Sequence, residues 1–202
     1  SYYDHLITGW FLSKKQVIHT KSRLFGGSSR EILKYGENPH QDASYLNSPG
    51  LERKAKYLVK ILQGALSYNN LADTTAAYKI LCELEDYNKS SCVIIKHGNP
   101  CGVAIDNKIL GAYKKSFETD PISAFGGIVA VNQKVDEKLA KRILSVFTEV
   151  IIAKSFSPEA FKMLSLKKNI KIIEIKSFDR TLLDTEEVRS VIGGYLVQEM
   201  SL

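Results

Sequence analysis

Cys92-Val93-Ile94-Ile95-Lys96-His97-Gly98-Asn99-Pro100-Cys101-Gly102 is the stretch from which the fold of this 202-residue chain is read. Its β-branched apolar run is the signature of a buried strand, and the run stops at two basic residues followed by the loop signals Gly98, Asn99, Pro100 and Gly102. In open α/β sheets, ligands bind in the crevice outside the carboxyl ends of the strands, so Lys96 and His97 are expected to face a cleft as an acid/base pair. A lysine beside a histidine disfavours the imidazolium form and keeps His97 available as a general base. The cationic Lys96 then suits stabilising an oxyanion or returning a proton to nitrogen. A second reading stays open on these residues alone: a strand end with a solvated lysine and a structural histidine.

Working outward, further apolar runs at 128–131, 149–153 and 170–175 alternate with helical patterns at 109–117, 138–147 and 158–166, the last capped by Ser157. Upstream, Leu66 to Thr74 leads into a helix ending near Glu85, with Ala76, Ala77, Ile80, Leu81 and Leu84 as its buried stripe and Asp73 or Asn70 as N-cap. Residues 103–105 read as a short strand, 43–46 as a strand, 47–50 as a turn, 57–63 as an apolar element, and 191–197 as a last strand with a glycine bend. Strands alternating with helices predict a layered α/β/α sandwich around a largely parallel sheet. Tyr3, Leu6, Ile7, Trp10 and Phe11 fall at helical spacing, and Gly26-Gly27-Ser28-Ser29 reads as a join. The expected organisation is therefore a docking helix and linker over 1–29 and one domain over 30–202.

The composition is 44% hydrophobic and 25% charged, which places the chain among globular proteins with a real core. No apolar run approaches the roughly 20 residues that span a bilayer, and no signal segment opens the chain, so a soluble, cytoplasmic protein is expected with no membrane partner. The chain begins at Ser1 rather than Met and so reads as a fragment of something longer. Three cysteines, Cys82, Cys92 and Cys101, suit free thiols in a reducing compartment. The net charge of +6 is spread thinly, with Lys14-Lys15, Lys114-Lys115 and Lys167-Lys168 as its densest groups and no interleaved aromatics, so no nucleic-acid partner is expected. Pro100-Cys101 is half of a zinc deaminase motif, but Ala104 stands where the second cysteine belongs and no His-x-Glu precedes it, so no metal is expected. Phosphate-loop glycine patterns and a Gly-x-Ser-x-Gly elbow are absent from the sequence.

Two loops stand out. Leu33-Lys34-Tyr35-Gly36-Glu37-Asn38-Pro39-His40-Gln41 is too rich in Gly, Asn and Pro for a helix or central strand, and offers Lys34 to an anion and Tyr35 as a face and a hydroxyl; plain surface loop is the alternative. Asp120-Pro121-Ile122-Ser123-Ala124-Phe125-Gly126-Gly127 pairs glycines with an aromatic, which lets a ligand lie on backbone or simply makes a turn. Glu149, at a strand start, fits a surface carboxylate as well as a ligand contact.

These segments, with Leu66-Ser67-Tyr68-Asn69-Asn70-Leu71-Ala72-Asp73, Ile95 to Gly102, and Val188 to Val197 in the tail, resemble the AICAR transformylase region of the bifunctional purine biosynthesis proteins, in that family's order and at about its spacing. The resemblance implies formyl transfer from the cosubstrate 10-formyltetrahydrofolate to the amino group of 5-aminoimidazole-4-carboxamide ribonucleotide. It implies Lys96 and His97 as the catalytic pair, with Lys34, Tyr35, Asn69, Asn70, Gly126 and Glu149 on the ribonucleotide and Ile122 and Phe125 near the folate. It also implies a cytidine deaminase-like subdomain without zinc, a homodimer that completes the site, and, in the full-length parent, a second transformylase half and a cyclohydrolase domain. Lys34 departs from the family's usual arginine and loses the bidentate fork for phosphate. The alternative to an enzyme is a non-catalytic nucleotide-binding or assembly module.

Overall fold

The computed structural model describes residues 7, 10, 27–48, 51–183 and 186–200. In chain order the elements are β1 (Ser28–Leu33), β2 (Ala43–Asn47), α1 (Glu52–Leu58), β3 (Val59–Gln63), α2 (Tyr68–Leu84), β4 (Ser90–Lys96), β5 (Asn99–Asp106), α3 (Ile109–Thr119), β6 (Gly127–Val131), β7 (Lys134–Val135), α4 (Glu137–Leu144), β8 (Thr148–Ala153), β9 (Ser155–Phe156), α5 (Pro158–Ser165), β10 (Lys171–Ile175), β11 (Glu186–Val191) and β12 (Gly194–Glu199). The expected docking helix and linker of 1–29 lie almost wholly outside the described residues. Ile7 and Trp10 are helical, and β1 begins at Ser28.

The apolar runs become strands because both faces of one six-stranded sheet, ordered β3-β10-β8-β6-β4-β5, are covered. Alternate residues point to opposite faces. Ile94, Val129, Val131, Ile151 and Ile172 pack with α3, α4 and α5 through Tyr113, Leu139, Ile143 and Leu164. Val93, Ile95, Ile128, Val150, Ile152 and Ile173 pack on α2 through Ala77, Tyr78 and Leu81. Each such buried side chain contributes about 1.5–3 kcal/mol relative to exposure.

The chain is therefore α/β and layered, but the sheet is mixed rather than largely parallel. β6/β8 and β8/β10 are parallel, whereas β4 runs antiparallel to both β5 and β6, and β3 antiparallel to β10. A turn of only His97 and Gly98 joins β4 to β5, and a connection that short closes only an antiparallel pair. Asn99 and Pro100 consequently belong to β5 rather than to a loop. Proline is admitted because β5 is an edge strand with an irregular register beside it, so no central ladder bond is lost.

Other boundaries shift for local reasons. Helix α2 starts at Tyr68, and its N-cap is Ser67 rather than Asp73 or Asn70. Ser67 Oγ accepts from the Asn70 N–H at 3.2 Å while Asn70 Oδ1 accepts from the Ser67 N–H at 3.3 Å, a reciprocal pair that satisfies two otherwise orphaned donors. Residues 57–63 divide between α1 and β3. The tail is a hairpin, β11 with β12, turning at Gly193 with φ 75°. Ser157 caps α5 as expected, accepting from the Ala160 N–H at 3.1 Å.

Candidate active site

Because β4 is antiparallel to β6, and β6 parallel to β8, the carboxyl end of β4 and the amino ends of β6 and β8 share one rim of the sheet. That rim collects most of the residues singled out in the sequence.

Its centre is the turn between β4 and β5. His97 (φ 51°) and Gly98 (φ 74°) are both left-handed, as a two-residue hairpin turn whose twist matches its strands requires. Glycine adopts this freely, but for histidine it is a less favoured conformation that the surroundings must hold. Three bonds do so. The Gly98 N–H donates to Asp73 Oδ1 at 2.6 Å, Asn99 Nδ2 donates to the His97 carbonyl at 3.0 Å, and Lys96 Nζ donates to the Phe125 carbonyl at 2.8 Å. The imidazole is exposed at the turn and Lys96 is half-buried beside it.

The Lys96 bond ties this turn to the 120–126 loop. Gly126, at φ 75°, donates its N–H to the Phe147 carbonyl at 2.8 Å, and the Phe125 and Phe147 rings lie 5.4 Å apart. At Gly127 a Cβ would come within 2.8 Å of the Ile95 carbonyl, so close approach to β4 demands glycine there. Ile122 is 86% exposed and Phe125 58% exposed, which gives the loop an apolar outer surface. Hydrogen bonds from Ser123 hold the Asp120 carboxyl below the usual carboxylate range, with the Lys96 charge adding to the effect.

On the other side, the amino end of α2 reaches the rim. Asn70 Nδ2 donates to Glu149 Oε2 at 3.2 Å, and Asn69 Nδ2 donates to the Glu37 carbonyl at 3.2 Å, anchoring the 34–42 loop. That loop is closed by Gly36 N–H to the Gln41 carbonyl at 2.8 Å. Lys34 is exposed, its Nζ 5.6 Å from the centre of the Tyr35 ring. Lys34 and Tyr35 thus join the rim through their loop backbone, whereas Lys96, His97, Phe125, Gly126, Asn69, Asn70 and Glu149 are linked by direct bonds or as sequence neighbours of bonded groups.

Two contributors escaped sequence reading. Asp73 reads as a helix cap, although its spacing from Asn69 and Asn70 puts all three on neighbouring positions of one helix face. Phe147 reads as the end of a helix, and its pairing with Phe125 had no sequence signal. Among the described residues, no group of three or more His, Cys, Asp or Glu side chains is placed to hold a metal ion. A separate cleft of about 340 Å³ lies between α3 and α4, lined by Leu110, Lys114, Lys138, Lys141, Arg142 and Ser145, on elements that carry none of the rim residues. Also among the described residues, no helix is long and apolar enough to cross a membrane.

The AICARFT/IMPCHase bienzyme family model matches residues 1–202. The bifunctional purine biosynthesis protein PurH of Mesorhizobium japonicum is 43% identical over 97% of this chain and 36% of its own length. The protein of the same name from Roseobacter denitrificans is 40% identical over 98% of this chain and 37% of its own. Among solved structures, form 2 of RibD from Acinetobacter baumannii shares 12% identity over 58% of this chain and 39% of that one, with a TM-score of 0.44. The chain thus spans little more than a third of the length of the curated relatives it matches.

Proposed function

The chain belongs to the AICARFT/IMPCHase bienzyme family, and from that premise we propose that its rim carries part of a formyl-transfer site in purine biosynthesis. The substrates are 5-aminoimidazole-4-carboxamide ribonucleotide and 10-formyltetrahydrofolate. His97 takes a proton from the weakly nucleophilic amine as it attacks the formyl carbon, and Lys96 stabilises the oxyanion that develops there or protonates the departing folate nitrogen. Asn69, Asn70, Gly126 and Glu149, with Lys34 and Tyr35 on the adjoining loop, hold the ribonucleotide. Ile122 and Phe125 offer the exposed apolar surface against which a pterin or benzoyl ring packs. In this reading the layered half is cytidine deaminase-like without zinc, works in the cytoplasm, and is completed by a second transformylase half and by a homodimer partner.

One observation supports the reading above the others: an exposed imidazole held in a left-handed turn, beside a lysine bonded to the backbone of the glycine-aromatic loop. The test is calorimetry of this chain with the ribonucleotide, followed by a formyl-transfer assay of the full-length protein that carries it. Binding by the chain and transfer by the full-length protein are the expected results, and His97→Ala in the full-length protein then lowers turnover by about 100- to 10,000-fold while the ribonucleotide still binds. Unchanged turnover removes His97 from the role of base. Binding without transfer by the full-length protein favours the second reading, a nucleotide-binding or assembly module. No binding overturns both.

A further inference from the structure

The amino end of α2 touches three separate parts of the rim from within five residues: Asn69 the 34–42 loop, Asn70 the carboxylate of Glu149, and Asp73 the turn that carries His97. Positions separated by three and four residues are neighbours on a helix surface, so one face of α2 makes all three bonds. The bond from Asp73 differs in kind from the other two. At 2.6 Å it joins a carboxylate to the Gly98 N–H, a charge-assisted bond, and it acts on a backbone group adjacent to His97. Asp73 does not cap α2, since Ser67 and Asn70 already do so, and no described cation pairs with it.

We infer that Asp73 is a positioning residue for His97, holding the His97–Gly98 turn in its left-handed geometry from across the helix-sheet contact. The turn gains from such a contact because His97 pays a conformational penalty in the left-handed region that Gly98 does not. With Asp73 in place, the imidazole keeps a fixed relation to Lys96 and, through Lys96, to the 120–126 loop. The wider consequence is that α2 registers the ribonucleotide contacts and the base against one another. This role for Asp73 in catalysis rests on the formyl-transfer reading, whereas the clamp itself does not.

The test has two arms, the first on this chain and the second on the full-length protein that carries it. In the first, the Gly98 amide exchange rate is followed by NMR in the parent chain, D73N and D73A, and thermal midpoints are measured for D73A, H97G and D73A/H97G. Exchange of Gly98 is expected to rise by about tenfold or more in D73A, less in D73N, with Ile94 and Leu81 amides unchanged. The midpoint loss caused by D73A is expected to shrink in the H97G background, since glycine needs no clamp to stay left-handed. Unchanged Gly98 exchange, or an equal midpoint loss in both backgrounds, overturns the clamp. In the second arm, D73N is expected to lower kcat by about tenfold with KM for the ribonucleotide unchanged. A rise in KM at constant kcat overturns the positioning role. If the full-length protein with Asp73 intact transfers no formyl group, the functional reading falls while the first arm still decides the clamp.

Discussion

At the scale of single residues, the chemistry and the backbone make opposite demands at position 97, and substitutions separate them. His97→Gly and His97→Asn both suit a left-handed turn, so each should keep the fold within a few tenths of a kcal/mol while removing the imidazole. His97→Val should cost about 1–3 kcal/mol, because a β-branched side chain is a poor occupant of that region. Urea unfolding monitored by circular dichroism distinguishes the three; equal stability of all three variants would mean that the turn is not held at φ 51° in solution. The thiols make a second residue-scale case. Burial pushes the Cys92 thiol up to about 12, against a small opposing bond from Ser116, and the Cys82 thiol up to about 11. Neither therefore forms thiolate near neutral pH. Alkylation at pH 8 should modify half-buried Cys101 first and reach Cys82 and Cys92 only on unfolding, and rapid native labelling of Cys92 would contradict its burial.

At the scale of elements, the packing of α3 on the β4–β5 hairpin depends on Gly102. A Cβ there would sit 1.9 Å from the Ser116 carbonyl, which is backbone and cannot step aside cheaply, while the Ser116 hydroxyl donates to the Cys92 carbonyl at 2.8 Å. Gly102→Ala should destabilise the protein by about 1–3 kcal/mol or more through overpacking, read as a lowered urea midpoint. A neutral result would show that α3 stands further off. The 120–126 loop offers a pH test. Hydrogen bonds from Ser123 lower the Asp120 pKa in the fold, so this contribution is complete above the unfolded value of 3.8 and is lost as pH falls through the folded one. Exchange of the Ser123 amide, which donates to Asp120 Oδ1 at 2.9 Å, should accelerate as the carboxyl protonates, after correction for intrinsic rates. Ser123→Ala should move that transition to higher pH.

Across the whole molecule, the two packed faces of one sheet carry the stability, so loss at their centre should be felt globally. Ile151 is fully buried in β8, between parallel neighbours on both sides, and Ile151→Ala should cost about 2–5 kcal/mol with loss of a single cooperative transition midpoint rather than local fraying. Much of this architecture was legible beforehand. The runs at 92–95, 128–131, 149–153 and 170–175 identified the strands because burial on both faces requires continuous apolar sequence, and the 3.6-residue stripes identified their covering helices. The motif order likewise pointed to the family. The amphipathic period and the Ser157 cap are local properties, carried by neighbours along the chain, and sequence alone determined them. Strand direction, the membership of Asn99 and Pro100 in an edge strand, and the meeting of Asp73 with Gly98 or Phe125 with Phe147 were decided only by the tertiary structure. Those features depend on which distant segments share the free energy of burial, and a periodic pattern records that a face is covered without recording what covers it or in which direction it runs.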